Sequence, residues 1–186
     1  SHGIERNPGQ VIGYLNRAGA WVELGKAEAA RGGDARSPYD RALAALDEAL
    51  RRNPRFSAAY VNRAEVHRRV GDAEALRGGD PRACYQQALA DDEAAFRINP
   101  ALWQARASQG TILEALGDFP RAVQAYQAAL ELCPGHPQIR QLLERAQLQA
   151  DQERTAPPVW IAQFAAADQA IARGDYPVAR DLIQDA

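Results

Sequence analysis

Apolar residues in this chain recur at the spacing of a helix face and do not gather into strand-like runs. In residues 137–153, Ile139, Leu142, Leu143, Ala146 and Leu148 form one apolar set at helical periodicity. Trp160, Ile161, Phe164, Ala167 and Ile171 form another, beyond the break at Thr155-Ala156-Pro157-Pro158. Earlier in the chain, large and small residues alternate: Tyr14, Ala18, Trp21 and Gly25, then Ala42, Leu46 and Ala49. Small residues let two helix backbones approach closely, and bulky ones fill the gap beside them. The pattern predicts closely paired helices over the whole chain.

The pattern also repeats. The segment AEAARGGDARSPYDRALAALDEALRRNP ends at Pro54, and AEALRGGDPRACYQQALADDEAAFRINP ends at Pro100, 46 positions later, with no gap between the two. Glu5-Arg6-Asn7-Pro8 stands a further 46 positions upstream and reads as the tail of an earlier unit. FPRAVQAYQAALELCP ends at Pro134, only 34 positions after Pro100. Corresponding residues are Tyr60, Ala64, His67 and Gly71 in the second unit, then Gly110, Leu113 and Gly117 in the third, where Arg106 replaces the first bulky residue. The second-helix set continues as Ala88, Asp92, Ala95 and Pro100, then Ala122, Tyr126, Ala129 and Pro134.

This arrangement resembles the tetratricopeptide repeat, a helix hairpin of 34 residues. The resemblance covers roughly residues 5–134. It implies an all-α chain, a right-handed α-solenoid of antiparallel helix hairpins. The expected organisation is a tag scar and upstream tail at 1–8, elongated repeats at 9–56 and 57–102, and a standard repeat at 103–136. A capping helix follows at 137–154, then a helix pair at 155–186 resembling a truncated further repeat, which either continues the array or folds back on it. Ser1-His2 and the lack of any methionine suggest an excised fragment with a cloning scar.

The first two units exceed the standard repeat by 12 residues. Lys26–Arg31 and Asp72–Arg77 are strong helix formers, the Gly32-Gly33 and Gly78-Gly79 doublets supply a stop, Asp34 and Asp80 read as N-caps, and Pro81 reads as the first helical residue. Both helices of these units are therefore expected to be one to two turns longer. Ala29, Ala30, Leu76 and Tyr85 are expected to pack near the tips.

Composition narrows the function classes. Alanine supplies much of the 46% hydrophobic content and aromatics reach only 7%, which favours helices. A net charge of −2 carries none of the basic surplus of a nucleic-acid binder, and no apolar run approaches a membrane span. Neither class of partner is expected. Lys26 is the only lysine, a sign of a high-GC genome. Cys84 and Cys133 lie outside metal-ligand spacing and read as reduced thiols of a cytoplasmic chain.

No catalytic set emerges. The glycine doublets lack the Lys-Ser/Thr of a phosphate loop, and Cys133 and His136 have no second pair of ligands. His67 stands where the repeat places an aromatic and reads as a partly buried structural residue. Asp91-Asp92-Glu93 reads as acidic helix surface, with Asp92 at a position the repeat fills with a bulky apolar residue. No cofactor, metal or enzymatic activity is expected.

The resemblance places a groove on the inner face of the first helices. Candidate groove residues are Ile12, Leu15, Asn16, Val61, Asn62, Glu65, Arg68, Arg69, Ser108 and Thr111. With Val22 and Ala107, several of them make the groove rather apolar. Asn16 and Asn62 occupy equivalent positions, and an asparagine amide both donates and accepts. Two roles stay open for them: gripping an extended peptide backbone, as is common in the family, or bonding a neighbouring helix end. Arg68 and Arg69 lie further along this edge, with Glu65 and Glu114 nearby. Chaperone-binding members clamp a C-terminal carboxylate with lysines and an asparagine. Asn62 matches that asparagine, but Leu15, Gly19, Ala107 and Thr111 stand where its charged or amide partners belong, which disfavours such a clamp.

The implied function is a protein–protein interaction scaffold that holds a partner's peptide or helix in its concave groove. Two alternatives stand beside it: a homo-oligomeric assembly module, in which the chain associates with itself, and the non-catalytic regulatory region of a bacterial Ser/Thr protein kinase. The second rests on the similarity of the Arg-Gly-Gly-Asp tips to repeats appended to such kinases.

Overall fold

The computed structural model describes the backbone of residues 8–155 and 159–184, and within those segments the side chains of 10–155 and 163–183. The described residues form nine helices and no strand. The expected upstream tail lies outside them except for Pro8, which opens the first helix, and so do the side chains of Trp160 and Ile161.

The chain divides into two units, residues 1–147 and 148–186. In the first, α1 (Pro8–Ala30) pairs with α2 (Arg36–Arg52), α3 (Ser57–Leu76) with α4 (Arg82–Ile98), and α5 (Trp103–Ala115) with α6 (Phe119–Leu132). The lengths follow the repeat arithmetic. α1 and α3 run 23 and 20 residues, α2 and α4 run 17 each, and the third hairpin has only 13 and 14. Both long hairpins turn at the expected glycines, Gly32 and Gly78, whose φ of +71° and +77° needs a residue without a Cβ. Asp34 and Asp80 each accept a hydrogen bond from the backbone N–H two residues on. The helices nevertheless begin one residue later than expected, with Pro81 as the cap residue rather than the first helical one.

Small residues carry the packing. Ala42, Ala49, Ala88, Ala95, Ala122 and Ala129 are all fully buried. The elongation is built around a tyrosine set against a glycine. A Cβ on Gly71 would lie 2.6 Å from the Tyr85 ring, and one on Gly25 would lie still closer to the Tyr39 ring. In the short third hairpin the same device joins Gly110 to Tyr126. The tips differ from expectation. Leu76 is 89% exposed and Ala29 and Ala30 are also exposed, so of the expected tip residues only Tyr85 is buried. Polar contacts join the tips instead. Arg36 bonds Glu74 at 2.7 Å, Arg77 bonds Asp34 at 3.3 Å, and the Cys84 thiol approaches Glu74 at 3.7 Å.

Arg63 of α3 ties three helices together. It donates to both oxygens of Asp91 on α4, at 2.6 and 2.8 Å, and to Asp47 on α2 at 2.6 Å. Glu114 of α5 is the corresponding tie in the third hairpin, accepting from the Tyr126 hydroxyl at 2.6 Å and from Arg145 at 2.7 Å. Arg145 belongs to α7 (Pro137–Thr155), which straddles the boundary between the units. Ile139 and Ala146 are buried and Leu142 and Leu143 half-buried against the third hairpin, whereas Leu148, expected in the same apolar set, is 58% exposed.

In the second unit, α8 (Val159–Ala172) and α9 (Tyr176–Gln184) form a hairpin of their own. Its turn uses Gly174 at a φ of +80°, and Ala167, Ala170 and Ala179 fill the seam. No helix among the described residues is long and apolar enough to cross a membrane.

Candidate functional site

Which face is the inner one follows from helix contacts. Among the described residues α1 touches α3 and α3 touches α5, whereas α2, α4 and α6 do not touch one another. The first helices of the hairpins therefore lie closest together and form the inner layer. Between α1 and α3 lies a hollow of about 120 Å³, lined by Ala18, Gly19, Val22 and Glu23 of α1, Leu46 of α2, and Asn62 and Glu65 of α3. Gly19 has nothing within 4 Å of where a Cβ would stand.

Of the candidate groove residues, this hollow gathers Asn62 and Glu65. Asn16 lies on α1 and is exposed, as are Asn62 and Ile12. Neither amide makes a side-chain hydrogen bond within the described residues. Leu15 is half-buried against the core of the first two hairpins. Val61 is half-buried on α3. Thr111 is engaged within the fold, its hydroxyl 3.2 Å from both the Ala107 carbonyl and the oxygen of Tyr126, whose own proton goes to Glu114. Ser108 turns its hydroxyl inward, where it is buried.

Four charged residues of α3, Glu65, Arg68, Arg69 and Asp72, form one network. Glu65 accepts from Arg68 at 2.9 and 3.0 Å and pairs with Arg69 at 2.6 Å, while Arg68 also donates to Asp72 at 2.6 Å. Burial alone would raise the Glu65 carboxyl, but the two arginines hold it below the usual carboxylate range. Glu114, expected near this cluster, is instead engaged with Tyr126 and Arg145.

Asp91-Asp92-Glu93 is the main correction. Asp91 is 6% exposed and paired with Arg63, and Asp92 is fully buried, so only Glu93 lies on the surface. Neither Asp92 oxygen has a hydrogen-bond partner. Burial pushes its carboxyl up to about 8, Asp91 and Glu65 add to the rise, and Ser108 and Arg68 oppose it. The sequence signal for Asp92 was its place in the repeat, the position filled by Leu46 and Tyr126 in the other units. His67 is half-buried, 4.0 Å from Asp91, and burial lowers its pKa, in keeping with a structural role. Cys84 and Cys133 are free, and the described residues contain no cluster of three metal-ligating side chains.

Two stretches, residues 33–75 and 100–148, match family profiles of the tetratricopeptide repeat. Those two stretches of the chain are tetratricopeptide repeats. A comparison with curated proteins finds no match. Among solved structures, the first tetratricopeptide domain of Spaghetti (RPAP3) bound to an HSP90 peptide is 18% identical, covering 80% of this chain and 99% of its own, with a TM-score of 0.63. The Sgt2 tetratricopeptide domain from Aspergillus fumigatus is 20% identical, covering 76% of this chain and 85% of its own, at a TM-score of 0.55. The MamA MSR-1 C2 structure covers 94% of this chain and 78% of its own, at 17% identity and a TM-score of 0.54. These likenesses are of fold: the α-solenoid of helix hairpins expected from the repeat.

Proposed function

We propose that this protein is a non-catalytic scaffold that holds a peptide or helix of a partner protein in the groove formed by α1, α3 and α5. One observation carries the reading. Asn16 and Asn62 stand at equivalent positions of neighbouring repeats, exposed, with their amides making no side-chain hydrogen bond in the fold. A ladder of such amides can accept and donate along an extended backbone without reading its side chains. The hollow beside Asn62, floored by Leu46, suits an apolar anchor. The similar RPAP3 domain holds an HSP90 peptide, which supports peptide binding as a use of this fold.

The test is to pan random displayed peptides on the full chain and measure the affinity of those recovered. Replacing both Asn16 and Asn62 by Ala is expected to weaken binding about tenfold or more, roughly 1.4 kcal/mol. Unchanged affinity removes the groove from consideration.

A second reading has an observation of its own. α9 exposes Tyr176 by 67% and Ile183 by 45%, two turns apart on one side of the helix, an apolar strip that favours self-association. Sedimentation at several concentrations tests it: a monomer throughout rules it out.

A further inference from the structure

α1 carries a glycine that its own packing does not require. Glycine in mid-helix costs backbone entropy and is less favourable than alanine. Gly25 of the same helix has its reason in the Tyr39 ring, which takes the space of a Cβ. Gly19 has no such neighbour: it is exposed, and among the described residues nothing lies within 4 Å of where its Cβ would stand. Its bare backbone borders the hollow between α1 and α3 and leaves that hollow open. A step of 46 positions takes Gly19 to Glu65, and a second step takes it to Thr111. The inner faces of α3 and α5 thus carry a side chain at the place where α1 carries none.

The lining says what the hollow takes. Leu46, Ala18 and Val22 supply apolar surface. Glu23 and Glu65 supply two carboxylates, and the fold already pairs both. Glu23 binds Lys26 at 2.7 Å, and Glu65 binds Arg68 at 2.9 Å and Arg69 at 2.6 Å. An incoming cation would lose water and find its counter-charges engaged, and an incoming acid would face two negative charges. An apolar side chain meets neither cost and covers the Leu46 surface. Volume narrows the choice further. A closed apolar cavity of about 150 Å³ accepts benzene. This hollow has about 120 Å³, which suits the branched end of valine, isoleucine or leucine and is too small for an indole.

On the groove reading above, we propose that the hollow between α1 and α3 is a subsite for one branched aliphatic side chain of the bound peptide, with Gly19 as the residue that sets its size. The two asparagines bracket it. Asn62 lines the hollow, and Asn16 lies one turn before Gly19 on the same side of α1. A backbone held by both amides runs past the hollow and presents a side chain to it. The amides hold the peptide whatever its sequence, and the hollow selects it by the shape of one residue.

The experiment uses peptides recovered by panning random displayed sequences on the full chain. Those that depend on Asn16 and Asn62 are expected to share one valine, isoleucine or leucine. Its replacement by alanine or by tryptophan is expected to weaken binding about tenfold or more. On the protein side, Gly19→Leu fills the hollow and is expected to weaken binding as much. Gly19→Ala narrows it and is expected to shift the preference from leucine towards valine. Both variants are expected to unfold in urea no earlier than the parent chain, because a Cβ at this position meets open space. Gly13→Ala is the matched control: it lies on the same helix, with the same open space among the described residues, but does not line the hollow, so the preference is expected to stay as in the parent. The peptide substitutions need no protein variant, so a folding defect does not obscure the outcome. Peptides that depend on the asparagines but tolerate alanine at every aliphatic position, or bind Gly19→Leu as tightly as the parent, overturn the subsite and leave the groove standing. An anchor that proves charged or aromatic does the same. Binding that survives loss of both asparagines, or a library that yields no binder, overturns the groove and the subsite together.

Discussion

Asp92 makes the stability of the fold depend on pH. Its carboxyl is fully buried and without a hydrogen bond, so folding favours the protonated form. The folded group titrates at about 8 against an ordinary 3.8, so between those values the folded chain binds a proton that the unfolded chain has released. Its contribution to stability is therefore present at low pH and is lost as pH rises from about 4 to about 8. Every tenfold difference in proton affinity between the folded and unfolded chain corresponds to about 1.4 kcal/mol, so the loss is on the order of a few kcal/mol. Asp92→Asn, which cannot ionise, is expected to gain on the parent chain by that amount between pH 5 and pH 8. Urea unfolding at the two pH values measures it, and parallel pH profiles for both chains would contradict the account. Arg63 is the opposite case, a half-buried charge paired with the buried Asp91. Removing it with Arg63→Ala leaves Asp91 buried without its partner, and the expected cost is about 3–5 kcal/mol by the same measurement.

At the scale of the helix, the two tall hairpins depend on the seats of Tyr39 and Tyr85. Gly71 lies so close to Tyr85 that an added methyl must push the ring or part the helices. Gly71→Ala trades a better helix former for that clash. The clash is expected to win, with a loss of about 1–3 kcal/mol in urea unfolding. The tip contacts are of another kind. Arg36 and Glu74 are half-exposed, and an ion pair in that setting contributes about 0–1 kcal/mol. Arg36→Ala is expected to shift the midpoint only slightly, and less still in high salt. The 12 extra residues thus reach stable helix through the glycine–tyrosine seats, while their outermost turn is held by solvated charges.

At the scale of the whole chain, the repeats couple to their neighbours through a few specific ties. Arg63 links α2, α3 and α4, and Glu114 links α5, α6 and α7. An array of this kind gains stability from each interface with the next unit rather than from one central core. Arg63→Ala is therefore expected to raise amide hydrogen exchange in α2, α3 and α4 well before α6 responds. Uniform acceleration across residues 8–147 would show instead that these hairpins open as a single cooperative unit.

The helices, their order and the repeat phase were legible in the chain alone. They follow from local rules: 3.6-residue periodicity, alanines at the closest approaches, and glycine doublets that must turn. The candidate groove was legible in part. Asn16 and Asn62 could be placed because the repeat fixes which face each position takes, and both are found exposed. Leu76 and Leu148 were misplaced because periodicity assigns a face but not whether a neighbour covers it. The Asp91-Asp92-Glu93 run shows the same limit more sharply. Composition reads three acids as surface, yet one finds an arginine from the previous helix, one is sealed in without a partner, and one reaches solvent. Sequence determined the fold because helix formation and hairpin pairing are decided within some forty residues. Tertiary structure alone decided the electrostatics of the groove, because a carboxyl's charge and partners depend on which residues of the neighbouring helices enclose it.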